Sequence, residues 1–188
     1  MRFHGVLTNF RFGRENQLRL LGRGIGLAAL VGLSSGLAAI VFHALVVFVL
    51  HWALKVAVGY DPGGPVHETT LPWLPPPEVL DFASPWLLLV IPALGGLACG
   101  ILTSRLAPEA AGAGMGAAIN AFHNRRGFIP LRVPLVKIVA TAVTLGTGGS
   151  GGREGPIAQI GAGFGSFVAI RLHLSGSERR ILMAAGLG

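Results

Sequence analysis

Long apolar runs separated by short charged segments organise this chain. Between Arg23 and Lys55 lie 31 residues in which His43 and His51 are the only titratable groups. A helix rises about 1.5 Å per residue, so this run would cover about 46 Å, more than the roughly 30 Å apolar core of a bilayer. The pattern therefore predicts a first membrane-spanning helix that crosses at a tilt.

A second apolar run, between Asp81 and Arg105, is 23 residues long, with Pro85 near its start and Pro92 inside it. It predicts a second crossing that is kinked at Pro92. The segment between the two runs, residues 59–84, holds acids and several prolines but no Lys or Arg. Because prolines interrupt helices, this segment is predicted to be an acidic loop on the outer side of the membrane.

Small residues recur at four-residue spacing in both long runs, at Gly32–Gly36 and at Gly96–Gly100. Such spacing is typical of membrane helices whose backbones approach closely. We therefore expect these two faces to lie at helix–helix contacts.

Two later apolar runs are too short to cross a bilayer. Ile138–Gly152 and Gly155–Ile170 have 15 and 16 residues and flank one Arg-Glu pair at positions 153 and 154. Fifteen helical residues reach only about 22 Å. The segments on either side, 105–137 and 171–180, are both basic and are expected on one side of the membrane. The chain is thus predicted to enter the membrane, break at the glycine-rich stretch and return.

Composition supports a lipid environment. Only 12% of the 188 residues are charged, whereas about 25% is usual for soluble domains. The net charge of +7 is unevenly distributed, because basic and acidic segments alternate between the apolar runs, and this pattern does not suggest nucleic-acid binding. It predicts a multi-pass integral protein of the cell inner (plasma) membrane. Residues 1–23 would form a basic cytoplasmic N-terminus and residues 24–188 the membrane domain.

Several other classes of site find no support in the sequence. Cys99 is the only cysteine, and the eight-residue spacing of His43 and His51 lacks a third ligand, so no metal site is predicted. Residues 146–151 fit G-x-G-x-x-G, but no acid follows about 20 residues later and no strand–helix–strand unit surrounds them. No nucleophile–base pair is apparent. We therefore expect neither an enzyme nor a cofactor.

Glu154 is the only acid of eight that falls at membrane depth. A charge there costs about 2.5–3.5 kcal/mol on insertion scales, so a function or a partner is expected. An ion pair with Arg153 is the structural alternative, although adjacent helical residues point apart. Pro156 predicts a new helix whose free N–H groups attract an anion. A carboxylate there can occupy the anion's place and leave it when protonated, which predicts a gate that also accepts a proton.

The sequence G-R-E-G-P at residues 152–156 closely resembles the G-[KR]-E-G-P signature of the CLC family of chloride channels and chloride/proton antiporters. Upstream, G-A-G-M-G at residues 112–116 stands where that family has its first anion-binding motif, G-S-G-I-P. The resemblance extends from about residue 20 to the end. It implies an all-α membrane protein with the CLC-type inverted-repeat fold, built from tilted, kinked and broken helices, of which this chain holds the first repeat. It also implies a homodimer that transports chloride or another small anion, with or without protons.

Carried over by position, the resemblance makes Glu154 the gate and proton acceptor. It assigns anion binding to two short segments: Gly112, Ala113, Gly114 and Met115, and Gly152, Arg153, Glu154 and Gly155. This sequence departs from the family pattern at Ala113, which replaces a serine that contacts the anion, and at Gly116, which replaces a proline. Anion selectivity therefore stays open, as does the choice between channel and antiporter.

The last stretch is predicted to begin a helix capped by Ser175 or Ser177. It stops within an apolar run, which predicts a fragment of a longer protein. An inactive truncated fragment or a membrane scaffold is accordingly the alternative to an anion transporter.

Overall fold

The computed structural model describes the backbone of residues 4–60 and 85–187, and the side chains of these ranges from residue 22 onward. This part of the chain is helical and contains no strand, so the predicted all-α class is confirmed. The elements are α1 (His4–Leu50), which continues as a π-helix (His51–Val56), α2 (Leu87–Leu106), a 3₁₀ turn (Pro108–Ala110), α3 (Met115–Asn124), α4 (Arg132–Gly146), α5 (Glu154–Arg171) and α6 (Gly176–Ala185).

The two predicted crossings are both helices. Gly22–Val56 and Leu87–Leu106 are long and apolar enough to cross a membrane, and only 17% and 11% of their most apolar windows are buried. A core helix of a soluble protein would be mostly buried, so the exposed apolar surface of these two helices fits contact with lipid. Pro92 lies inside α2, which runs unbroken past it. The backbone of α1 is also continuous across residues 23 and 24.

The predicted break between two short helices is confirmed. α4 has 15 residues and α5 has 18, and the chain between them is not helical from residue 147 to 153. Unlike α1 and α2, α5 is buried on most sides, because it packs against α1, α3, α4 and α6. The acidic loop predicted at residues 59–84 lies, apart from its first two residues, outside the described part of the chain.

Close helix contacts occur at other glycines than those predicted. A Cβ on Gly161 of α5 would overlap the carbonyl oxygen of Gly186, directly after α6, and a Cβ on Gly165 would overlap that of Leu182 in α6. At Gly32, Gly36, Gly96 and Gly100, by contrast, nothing in the described chain lies within 4 Å of a Cβ. The prediction of close helix contacts at these four glycines is therefore wrong for the described part of the chain, where several of the closest contacts involve glycines of α5.

Basic residues from distant parts of the sequence share one end of the molecule. Arg23 of α1 forms an ion pair with Glu178 of α6 at 3.5 Å. Glu109 forms ion pairs with Arg132 at 3.2 Å and with Arg125 at 3.9 Å. The pKa of Glu109 is lowered by a hydrogen bond from its own backbone N–H and, against desolvation, by these two arginines. The two basic segments predicted to share a side are in contact, since Arg180 Cγ would lie 3.2 Å from a Cβ on Gly127.

Candidate anion-binding site

Two helix starts lie against each other beside the break. We call them the α3 start (residues 112–115) and the α5 start (residues 152–155). The carbonyl oxygen of Ala113 would lie 2.5 Å from a Cβ on Gly155, and Gln159 Oε1 would lie 2.7 Å from one on Gly114. Gly112 and Gly114 also have φ values of 74° and 98°, which favour glycine. Only glycine fits at this contact, and the close approach brings together the α3 start and the α5 start, the two segments predicted to bind an anion.

Neither start is capped by a side chain. The N-cap residues are Gly114 for α3 and Arg153 for α5, and neither accepts a capping hydrogen bond through its side chain. The N–H groups of a helix's first turn have no partner within the helix. At α6, by contrast, Ser175 accepts from the backbone N–H of Glu178 in a capping box. The α3 and α5 starts therefore keep first-turn donors, and the positive end of each helix dipole, for a ligand.

A cavity of about 510 Å³ lies beside the two starts. Five of the eight residues predicted to bind an anion line it: Gly112, Ala113, Gly152, Glu154 and Gly155. The other three do not. Gly114 is buried beneath Gln159, Met115 is 42% exposed outside the cavity, and Arg153 is half-buried. Apart from Glu154, the described lining contains no acid.

Glu154 is the first residue of α5 and is exposed where it lines the cavity. Its Oε2 atom lies 3.1 Å from the position that a Cβ on Gly152 would take, so the carboxylate lies over the preceding loop. Pro156 is the third helical residue, and its missing N–H costs no hydrogen bond within the first turn. The predicted place of this acid, at the start of a helix beside the break, is confirmed. Its role as a gate stays a prediction.

Lys137 of α4 is a wall residue that the sequence interpretation missed. It is only 4% exposed, and Nζ donates to the carbonyl oxygen of Ala110 at 3.0 Å and to that of Gly112. The sequence analysis counted Lys137 only in the basic segment 105–137 and gave it no role in the site. The spacing contained a signal, because Val133, Lys137 and Thr141 recur every four residues on the buried face of α4.

Gln159 of α5 holds the same segment from the other side. It is 1% exposed, and Nε2 donates to the backbone carbonyl oxygen of Glu109 at 2.8 Å. Residues 109–114 are thus fixed between Lys137 of α4 and Gln159 of α5. Because all three hydrogen bonds link residues far apart in sequence, local sequence patterns alone do not reveal them.

Fold and site together define a helical protein in which two uncapped helix starts meet at a cavity between apolar helices. The model of the voltage gated chloride channel family matches residues 95–188, which is half of the chain. The chain belongs to this family, whose members reside in membranes, and the resemblance seen in the sequence is confirmed.

Individual relatives agree with this assignment. The chain is 32% identical over 162 residues to an H(+)/Cl(−) exchange transporter ClcA of Cronobacter sakazakii, covering 85% of this chain and 31% of the relative. It is 36% identical over 104 residues to the chloride channel protein CLC-e of Arabidopsis thaliana, covering 55% and 14%. It is 29% identical over 103 residues to a chloride/fluoride channel protein of Pseudomonas syringae, covering 55% and 22%. The chain thus spans less than a third of the length of each.

Proposed function

We propose that this chain forms one wall of a transmembrane pathway for chloride or another small anion. The observation that carries the proposal is the meeting of two uncapped helix starts at one cavity. Their free N–H groups and helix dipoles attract negative charge. The relatives named as chloride channels and as H(+)/Cl(−) exchange transporters support the same conclusion. The family's members are transporters rather than enzymes.

Lys137 supports an anionic ligand independently of the helix starts. Its Nζ is buried in the cavity wall and donates to two backbone carbonyls, and as an ammonium group it would give the wall a positive charge. Burying a charge is costly unless it is paired and hydrogen-bonded. An anion in the cavity would act as the counter-ion and could accept N–H hydrogen bonds worth about 1.5–3 kcal/mol each.

We further propose that Glu154 gates this pathway and accepts a proton. Its carboxylate stands at the α5 start, where an anion would find the same N–H groups, so the two negative groups compete. Protonation makes the side chain neutral and frees the place for an anion. If the same proton is then released on the opposite side, transport becomes chloride/proton exchange. If it is not, the protein is a channel.

The orientation and assembly of the protein belong to the same proposal. The end that carries Arg23, Arg125 and Arg132 would face the cytoplasm of the inner membrane, as the distribution of positive charge favours. The protein would assemble as a homodimer, as the family resemblance implies.

The test is Glu154→Gln in the full-length protein, reconstituted in liposomes. Glutamine keeps the size of the side chain but cannot ionise, so it mimics a protonated, open gate. We expect anion flux to persist, to lose most of its pH dependence and to move no protons against the anion gradient. Glu178→Gln makes the same chemical change at the capped start of α6 and should leave transport unaltered.

Two results would contradict the proposal in different ways. If the wild-type protein gives no selective anion flux, the anion pathway is wrong and the scaffold alternative is favoured. If flux is present but Glu154→Gln keeps the wild-type pH dependence, the gate is wrong. A structural ion pair between Arg153 and Glu154 predicts instead a misfolded variant, because stranding a buried charge costs about 3–5 kcal/mol. The thermal midpoint measured beside flux separates these cases.

A further inference from the structure

Arginines from the connection between α3 and α4 and from helix α6 gather at the basic end, away from the cavity. The connection between α3 and α4 lies against the start of α6, where Arg180 Cγ would lie 3.2 Å from a Cβ on Gly127. On the other side of this contact, Arg126 Cβ would lie 3.5 Å from a Cβ on Gly176. We call Arg126, Arg179 and Arg180 the arginine cluster.

A buried hydroxyl group holds the connection that carries Arg126. Ser166 of α5 is fully buried, and its Oγ donates to the carbonyl oxygen of Gly127 at 2.7 Å and accepts from the N–H of Ile129 at 2.9 Å. Arg126 and Gly127 both have positive φ, 51° and 72°, which turns the chain sharply toward α6. The cluster is therefore positioned in advance, which lowers the entropic cost of binding a ligand.

The cluster has no acidic partner among the described residues. The two nearby acids are engaged elsewhere, since Glu109 pairs with Arg125 and Arg132, and Glu178 caps α6 and pairs with Arg23. Within the same described ranges, the Nε–H groups of Arg179 and Arg180 are buried and lack an acceptor. No described acid therefore balances the charge of the cluster, and the partly exposed guanidinium groups of Arg179 and Arg180 suit an acidic ligand with several oxygen acceptors.

We propose that the arginine cluster binds the phosphate headgroup of an anionic phospholipid. Guanidinium groups match phosphate oxygens with paired hydrogen bonds, and arginine is the residue that proteins favour for this geometry. This proposal concerns a site separate from the cavity and does not depend on anion transport.

Apolar neighbours indicate a lipid rather than free phosphate. Phe128 lies under the guanidinium of Arg179, with its ring centre 5.9 Å from Cζ, and is 44% exposed. Ile181, next to Arg180, is 66% exposed. An exposed aromatic and an exposed aliphatic side chain beside a phosphate site fit the boundary between headgroups and acyl chains. Basic residues just outside apolar helices are also where anionic leaflets exert their attraction.

To test this, purified full-length protein in neutral detergent is titrated with dioctanoyl phosphatidylglycerol, and native mass spectrometry measures how much lipid is bound. Arg179→Gln with Arg180→Gln is compared with Arg105→Gln with Arg171→Gln, which removes equal charge outside the cluster. One basic residue near an anionic surface contributes about a fivefold change in affinity. We expect about 25-fold weaker binding for the cluster variant and less than a twofold change for the control.

Arg126→Gln supplies a second variant, because its side chain is exposed and its replacement leaves the α6 packing intact. It should weaken binding about fivefold. Equal losses in the two double variants would overturn the proposal, since net charge alone would then explain them. Inorganic phosphate that displaces the lipid at similar concentrations would overturn the lipid assignment. Equal binding of dioctanoyl phosphatidylcholine by the wild type would do the same.

Discussion

The α3 start and the α5 start face one cavity but are held in different ways. Buried side chains from two helices, Lys137 and Gln159, bind the backbone that leads into α3. At the α5 start, the preceding residues 150–152 make no hydrogen bond to the rest of the described chain, and Glu154 is exposed. The α3 start carries no ionisable side chain, whereas the α5 start carries the acid of the site.

The difference suggests that the α3 start and the α5 start have different functions. Backbone dipoles bind a charged ligand best when they are fixed before it arrives, and this suits the clamped α3 start. A side chain that leaves its place on protonation needs space and few restraints, and this suits the α5 start. We therefore expect variants at the first start to change affinity or stability, and variants of Glu154 to change pH dependence.

The largest effect should follow Lys137→Met, because this change removes both the hydrogen bonds that hold the α3 start and the charge of Lys137. Two opposite charges 4–8 Å apart in a partly buried site interact by about 2–4 kcal/mol. Chloride affinity should therefore fall by about 30-fold or more, and the freed carbonyls of Ala110 and Gly112 should disorder the α3 start. Calorimetric titration of the full-length protein with chloride measures the first effect.

Arg105→Met is the matched control for Lys137→Met, because it removes one positive charge from the exposed end of α2. It should leave chloride affinity within twofold. Unchanged chloride affinity in Lys137→Met would show that the buried ammonium serves only to hold the backbone. The two starts would then differ in structure but not in their contribution to binding.

The next largest effect concerns the contact between the two starts. Gly155→Ala places a methyl group 2.5 Å from the carbonyl oxygen of Ala113, which is backbone and cannot rotate away. Overpacking of this kind costs about 1–3 kcal/mol, so the thermal midpoint should fall and chloride binding should weaken. Gly36→Ala, where nothing in the described chain lies within 4 Å, should be neutral. A normal midpoint with normal affinity in Gly155→Ala would mean that the two starts move independently.

Sequence patterns were sufficient to predict the helices and the break between α4 and α5. They did not predict the buried hydrogen bonds that hold the α3 start. Run lengths predicted the two long helices and the break, and the only acid at membrane depth marked the α5 start. The burial of Lys137 was missed because it was counted only as part of the basic segment 105–137, and its hydrogen-bond partners lie 27 and 25 residues away in sequence. The glycine contacts were misplaced for a similar reason. Spacing shows which glycines could pack closely, but only the tertiary fold decides that α5 is the helix that others surround.

The next prediction concerns Ala113 and asks whether the α3 start could bind chloride more tightly than it does. Ala113 lines the cavity where the family has a serine, and its methyl group cannot donate to an anion. Ala113→Ser adds one donor, and a hydrogen bond to a charged ligand is worth about 1.5–3 kcal/mol. Chloride should bind about tenfold or more tightly in calorimetry, with an unchanged thermal midpoint. Equal or weaker binding would show that residue 113 does not face the anion.

The smallest effect uses α6 as a reference for what an acid does at a helix start when its role is structural. The pKa of Glu178 is lowered by hydrogen bonds from the backbone N–H and the hydroxyl of Ser175, and by Arg23. A carboxyl whose folded-state pKa is lowered stabilises the fold above its unfolded value, near pH 4.3, and loses that contribution as pH falls through the folded value. The wild-type midpoint should therefore drop more steeply than that of Glu178→Gln below about pH 4.3, by a small amount because the pair is exposed to solvent and salt. Thermal unfolding at pH 6 and pH 3.5 measures the difference.

For Glu154→Gln we expect no such change in midpoint and a changed pH dependence of flux instead. If the two variants alter the midpoint alike, Glu154 is a structural acid and the proposed contrast between the α3 and α5 starts fails.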